Sequence, residues 1–272
     1  MKQYYFISGL PRSGSTLLSA ILKQNPEFYA DIASPMEAIA GNTIDTISGG
    51  DNNLVVTEEQ RKNLLYGLFE GYYQHIEKPV IFDSSRGWTK NTNLLRFLFP
   101  YTKILCTVRD IVSILNSFEI ISSKNPFHTT LLTEHNDNVF VRCDEMMDKN
   151  GGIVSNSWIF LQEGYALNPE MIFLIEYENL CKEPEKTMRG VYEFLEKPYY
   201  SHDFENVEYS NENFDKVCNL RDLHKVKKRV EYNPPRCILP SEIVQKYKNM
   251  EFWRKNYKLK AEMSYEKLID YQ

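Results

Sequence analysis

Residues 4–26, YYFISGLPRSGSTLLSAILKQNP, decide the fold. Tyr4 to Ser8 is a short apolar and aromatic run suited to a buried strand. Gly9 to Thr16 form a loop. Leu17, Leu18, Ile21 and Leu22 then recur at helical spacing, and Pro26 ends the helix. A glycine-containing turn between a strand and a helix N-terminus aims several backbone N–H groups at one point, and the helix dipole adds partial positive charge there. That makes an anion site, most often for phosphate. The plainer alternative is a Gly/Ser turn between two core elements.

The loop narrows the choice of anion. A nucleoside-triphosphate loop reads GxxxxGK[ST]. Gly9, Gly14 and Thr16 stand in place, but Ser15 occupies the lysine position and the cation has moved to Arg12. A single 5′-phosphate or phosphosulfate fits this loop better than a triphosphate. A second constellation lies in TVRDIVSILNSFE, where Arg109 ends a strand and Ser117 follows about two turns into the next helix. The two could grip one phosphate. Taken alone, they read equally as an Arg-Asp pair after a strand and a serine bonded back to its own helix.

LPRSGSTLL resembles the 5′-phosphosulfate loop of sulfotransferases that use 3′-phosphoadenosine 5′-phosphosulfate (PAPS). The strand–Arg–x7–Ser pattern resembles their 3′-phosphate motif. The later YENLCKEPEKTMRGVYEFLEKP resembles the strand–helix that follows, in which the helix is a packing element. The ordered set runs from residue 4 to about residue 198. The resemblance implies that the backbone from Arg12 to Thr16 cradles the 5′-phosphosulfate around Gly14, with Ser13, Ser15 and Thr16 adding hydroxyls. It implies that Arg109 and Ser117 hold the 3′-phosphate. It also implies that the basic run Lys225, Lys227, Lys228 and Arg229 closes over the cofactor, a role for which a solvated charge cluster is the alternative. PAPS is then the co-substrate, and no metal is required.

The branch within the family is less plain. Arg12 matches the tyrosyl-protein and carbohydrate branches, since the cytosolic small-molecule branch has lysine there. The Lys-Thr-His of the cytosolic branch, with its histidine base, is replaced by Asp83-Ser84-Ser85. The glutamate that two branches carry after the first helix falls near Asp31 to Ser34, and the nearest one here is Glu37. The base candidates rank as Glu37, then Asp83 at a strand end, with Asp31 and His224 behind. Asp83 has an alternative role, orienting Arg12 or Arg86 by an ion pair.

Composition agrees with an enzyme of this kind. The chain has 272 residues with 42% hydrophobic and 25% charged content, which suits one large soluble α/β domain. A net charge of −5 argues against a nucleic-acid scaffold. Cys106, Cys143, Cys181, Cys218 and Cys237 are scattered without metal or CxxC spacing, as in a reduced chain. No signal peptide or membrane-length apolar run is seen, so a soluble, bacterial-type, cytoplasmic protein is expected.

The alternation of strands and helices predicts an α/β, P-loop-like three-layer fold, with a parallel sheet of about four or five strands. It is expected to form a single domain over residues 1–272. Strands are expected at 79–82, 103–108 and 171–176, and helices at 58–76, 94–99, 153–167, 184–195 and 240–255. Residues 27–57, where Ser34-Pro35 reads as a helix break, and 124–150 read as irregular substrate or lid excursions. The expected function is transfer of the sulfuryl group from PAPS to an acceptor hydroxyl or amine, releasing 3′,5′-ADP. The acceptor could be a sugar, a phenol or a peptide tyrosine. The alternatives are a P-loop kinase or NTPase, and a non-catalytic nucleotide-binding protein of the same fold.

Overall fold

β1 (Gln3–Gly9) runs through the middle of a parallel sheet. Its neighbours are β3 (Val80–Ser84) on one side and β4 (Ile104–Val108) on the other. The edges are β2 (Phe28–Ala30), paired with β3, and β5 (Ile172–Glu176), paired with β4. The order is therefore β2-β3-β1-β4-β5. The structure is a computed structural model that describes residues 2–124, 138–207 and 227–254.

Successive residues of β1 point to opposite faces of the sheet. Tyr4 and Phe6 enter one buried core, and Tyr5 and Ile7 enter another. The first core takes in α2 (Met36–Ser48), α4 (Glu58–Tyr72), α5 (Thr92–Leu98), α6 (Ile111–Lys124) and α8 (Ile153–Leu167). The second takes in α1 (Ser15–Leu22) and α10 (Pro184–Phe194). This is the expected three-layer α/β arrangement, and burial on both faces explains why β1 is apolar throughout.

The two stretches that read as irregular contain regular elements among their described residues. Residues 27–57 contain β2, α2 and the short α3 (Asn52–Val55). Pro35 starts α2 rather than breaking a helix, because the first helical positions need no N–H partner. Ser34 Oγ accepts the Met36 N–H at 2.9 Å, and Met36, Ile39, Ala40, Ile44 and Ile47 face the core. In the stretch 124–150, residues 125–137 lie outside the described residues. Beyond them α7 (Val139–Met146) is capped by Asn138. Near the C-terminus the expected helix over 240–255 is shorter. α11 (Ser241–Tyr247) stops, and a 3-10 turn, Phe252–Arg254, follows.

α4 begins with a capping box: Thr57 and Gln60 exchange backbone and side-chain bonds. α9 (Tyr177–Lys182) turns directly off β5. No helix among the described residues is long and apolar enough to cross a membrane.

One buried imidazole sits under this fold. His202 is enclosed by the rings of Tyr192, Tyr199, Tyr200 and Phe204, with Nε2 at 3.1 Å from the Tyr192 hydroxyl. Burial pushes its pKa down from 6.5 to about 4. The unfolded chain therefore takes up this proton at a higher pH than the folded one. Stability conferred above pH 6.5 is lost as pH falls toward 4, by up to roughly 3 kcal/mol. Urea denaturation at a series of pH values should show this loss, and His202→Gln should flatten it. Equal pH slopes for the two proteins would remove His202 as its source.

Candidate functional site

A cavity of about 800 Å³ opens at the C-terminal ends of the strands, where the chain order reverses around β1. In open α/β sheets this is where ligands bind. Among the described residues six cations line it (Arg12, Arg86, Lys90, Arg109, Lys227 and Arg229) against two carboxylates, Glu37 and Glu231. The described lining is thus rich in cations within a chain of net charge −5, an arrangement that draws a polyanion.

The loop after β1 forms one wall. Gly9 has φ +114, and a Cβ there would lie 2.1 Å from the Thr107 carbonyl oxygen of β4. Arg12 has φ 58, in the left-handed region. Gly14 has φ +97 and caps α1 with no side-chain cap bond, so the first N–H groups of the helix stay available beside the cavity-lining Ser15 and Thr16. No acidic residue occupies the first turn of α1.

Ser13 is turned inward. It is fully buried, and its hydroxyl lies against the carbonyls of Leu10 and Thr107 and the Thr107 hydroxyl. The hydroxyl shapes the loop and does not line the cavity. The expectation that it adds a donor to the ligand is corrected to that extent.

The two motifs meet. Arg12 Nε donates to Ser117 Oγ at 3.2 Å, and Arg109 Nη1 donates to the Arg12 carbonyl at 3.2 Å. Arg109 is buried, with its guanidinium over the Tyr177 ring at 4.5 Å. Arg109 Nε has no hydrogen-bond partner among the described residues. A buried cationic N–H left unpaired beside a cavity is a fitting place for an anion oxygen.

Tyr177 was read only as part of a packing stretch. It lines the cavity, supports Arg109, and lies so close to Gly14 that a Cβ there would meet its ring at 2.8 Å. Burial raises its hydroxyl pKa to about 12, so the ring stays neutral. Its position at the C-terminal end of β5 was the available signal.

The opposite wall carries Glu37 and Lys90. Lys90 Nζ lies 2.9 Å from Glu37 Oε1 and 5.0 Å from the centre of the Phe160 ring. Asn91 Nδ2 donates to the same carboxylate at 3.3 Å. Lys90 comes from the 3-10 turn Arg86–Asn91 after β3, and no local pattern singled it out.

Asp83 is elsewhere. It is fully buried in β3 and does not line the cavity. Its oxygens accept from Ser34 Oγ at 2.7 Å, Tyr73 OH at 2.6 Å and Trp88 Nε1 at 2.7 Å. Burial pushes its carboxyl pKa up, while the three donors work the other way. With both oxygens occupied it cannot reach an acceptor proton, which corrects its place among the base candidates. Nor do these three bonds include Arg12 or Arg86. Asp31 accepts from the Ile32 N–H at 2.8 Å and is not on the cavity wall. His224 and Lys225 lie outside the described residues.

Lys227 and Arg229 do line the cavity, and both have carboxylate partners. Lys227 pairs with Glu231 at 3.0 Å and Arg229 with Glu205 at 3.0 Å. Among the described residues no cluster of three or more His, Cys, Asp or Glu could hold a metal ion.

Comparison with known proteins gives a consistent family. A model described as "Sulfotransferase family" matches residues 5–201. Protein-tyrosine sulfotransferase A of Caenorhabditis elegans is 27% identical over an alignment of 299 residues, covering 93% of this chain and 75% of that protein. The sulfotransferase domain from the curacin biosynthetic pathway has a similar fold, with a TM-score of 0.52, 15% identity, and coverage of 99% of this chain and 98% of that one. The sulfotransferase domain of the Synechococcus PCC 7002 olefin synthase gives 0.50, 16%, 90% and 92%.

The loop geometry has a direct test. Gly14→Ala places a side chain at φ +97 and against Tyr177, and should cost about 1–3 kcal/mol of unfolding free energy in chemical denaturation. Unchanged stability would mean that the left-handed cap is not required.

Proposed function

The chain belongs to the sulfotransferase family and is a sulfotransferase, and we propose that it transfers the sulfuryl group of PAPS to an acceptor hydroxyl or amine, releasing 3′,5′-ADP. The observation that carries this reading is the coupling of Arg12 and Arg109, both on the wall of one cation-rich cavity beside the open N-terminus of α1, with Ser117 behind them as the partner of Arg12. Two anionic ends of one ligand suit two such groups. The loop N–H groups from Arg12 to Thr16, with the hydroxyls of Ser15 and Thr16, take the 5′-phosphosulfate. Arg109 and Ser117 take the 3′-phosphate, with Lys227 joining them by leaving Glu231.

The chemistry follows from what these residues can do. Arg12 and the helix N-terminus stabilise the charge that grows on the departing phosphate oxygen as its bond to sulfur breaks. Glu37 accepts the proton of the acceptor as the new oxygen–sulfur or nitrogen–sulfur bond forms. Lys90, held against Glu37, supplies a second cation on the acceptor side. Rate enhancement then comes mainly from positioning and charge stabilisation. The C. elegans relative is named for protein tyrosine, so a tyrosine peptide is the first acceptor to test, beside a phenol and a sugar.

The same reading assigns residues 1–272 to one domain working in the cytoplasm, where the free thiols Cys106, Cys143, Cys181 and Cys237 stay reduced. A P-loop kinase is disfavoured by Ser15 in the lysine position and by the occupied carboxylate of Asp83, which has no oxygen to spare for a metal.

Thermal shift with 3′,5′-ADP, 5′-AMP and ATP–magnesium tests the nucleotide. A preference for 3′,5′-ADP is expected, and a preference for ATP–magnesium would replace this reading by the kinase one. Arg109→Ala and Ser117→Ala should erode discrimination between 3′,5′-ADP and 5′-AMP, since a charge-assisted contact is worth about 1.5–3 kcal/mol. Full discrimination in both variants would place the 3′-phosphate elsewhere.

Glu37→Gln should lose at least about two decades of kcat and the acidic limb of the pH profile with an alcohol acceptor. A wild-type profile would remove Glu37 as the base.

A further inference from the structure

Three different segments converge on one buried carboxylate. Ser34 comes from the chain entering α2, Tyr73 from the end of α4, and Trp88 from the 3-10 turn after β3. Each donates a hydrogen bond to Asp83, and no two of the three donors belong to the same element. The Ser34 backbone N–H also donates to the Ser84 carbonyl at 2.9 Å, and the Ser34 hydroxyl accepts from Met36 N–H at 2.9 Å. The start of α2 is thus locked to β3 through both backbone and side chain. Trp88 is fully buried in the core against Phe6 and Phe69, so its ring cannot slide while the indole N–H is held.

Two of these segments carry the acceptor side of the cavity. Glu37 lies in the first turn of α2, three residues beyond Ser34. Lys90 lies two residues beyond Trp88 in the 3-10 turn. Their 2.9 Å ion pair, the Asn91 Nδ2 bond to the same carboxylate and the close approach of that carboxylate to Gly87 join the two elements that Asp83 also gathers. An added Cβ at Gly87 would sit 2.5 Å from the Glu37 carboxyl carbon, which shows how little slack the pair has.

We infer that Asp83 is a positioning residue for sulfuryl transfer: its buried carboxylate gathers the start of α2 and the 3-10 turn so that Glu37 and Lys90 face the acceptor at fixed separation. This rests on the proposed role of Glu37. The third donor, Tyr73, comes from an element that contributes no residue to the cavity wall, so its bond holds the fold without aiming the pair. Ser34 and Tyr73 share Oδ2 while Trp88 alone holds Oδ1, so the bonds that aim the pair survive the loss of Tyr73. Asparagine cannot replace the carboxylate, because it offers one accepting oxygen where three donors converge and turns an NH2 group toward the others.

The test compares Asp83→Asn, Tyr73→Phe and Glu37→Gln with wild type. Turnover uses PAPS and an acceptor found by screening, and rates are normalised to the folded fraction. Asp83→Asn should lower kcat at least tenfold, leave the KM for PAPS within about twofold, and keep an acidic limb in the pH profile. Glu37→Gln should lose that limb. Tyr73→Phe should lower Tm yet hold kcat within about twofold, which separates aim from bulk stability. If Asp83→Asn does not fold, Trp88→Phe removes one donor and should show the same split between kcat and KM. A wild-type kcat for whichever of these two variants is folded would overturn the inference. So would loss of the acidic limb in Asp83→Asn, because Asp83 would then be the base itself.

A thermal shift with 3′,5′-ADP accompanies each protein. Wild type with no shift and no turnover would overturn the proposed function. Wild type with a shift and turnover but an unaffected Asp83→Asn would overturn only the positioning role. The indole N–H resonance of Trp88, assigned by its disappearance in Trp88→Phe, should move in Asp83→Asn whatever the acceptor. An unmoved resonance would mean that the bond to Asp83 is not made.

Discussion

The buried hydroxyl of Ser13 is the contact on which the rest of the site depends. It lies against the Leu10 carbonyl, the Thr107 carbonyl and the Thr107 hydroxyl, with no exposure to solvent. It ties the loop after β1 to β4 at the level where Gly9 pairs with Thr107. Only a residue without a Cβ can sit at Gly9, because the strands approach too closely there. With the loop pinned at both points, Arg12 is forced into a left-handed conformation and carried toward α6, where Ser117 waits. The strain of such a backbone is of the order of 1–3 kcal/mol. It persists because burial and hydrogen bonding around it leave the loop no alternative.

What could be read from sequence was what neighbours in sequence decide. The β1–loop–α1 unit was legible because strand, turn glycines and helix spacing lie within one short stretch. Arg109 was legible because it ends β4, and Ser117 because it follows in the next helix. The bond between Arg12 and Ser117 was not, since it depends on β4 lying beside β1. The same limit explains the missing Lys90 and Tyr177, each placed by a strand whose order in the sheet no local pattern states. Pro35 misled for a different reason. Its chemistry suits the first turn of a helix as well as a break, and only the buried Met36 and Ala40 tell the two apart. Asp83 misled because a carboxylate near the C-terminal end of a strand can point along the sheet into the core as readily as into a cleft.

The two walls of the cavity are built on different principles. The loop wall is mostly backbone: strained turns, open N–H groups and a helix dipole, with one arginine threaded through. The facing wall is made of side chains, and their polar groups are bonded to one another. The first wall presents Arg12 and Arg109 beside the open N–H groups, as suits a ligand that brings its own negative charge. Charge on the second is balanced pairwise in Glu37 and Lys90.

The bonds among Arg12, Arg109 and Ser117 have a consequence for how this site can change over evolutionary time. Arg12 leans on Ser117, and Arg109 leans on the backbone of Arg12. Residues that share partners in this way do not contribute independent increments of free energy. A replacement at one position alters the worth of the residue kept at the next. Drift toward a different ligand would therefore stall at single steps and proceed only by substitutions arriving together. A lineage that keeps this triplet is held to its ligand by epistasis as much as by selection on any one contact.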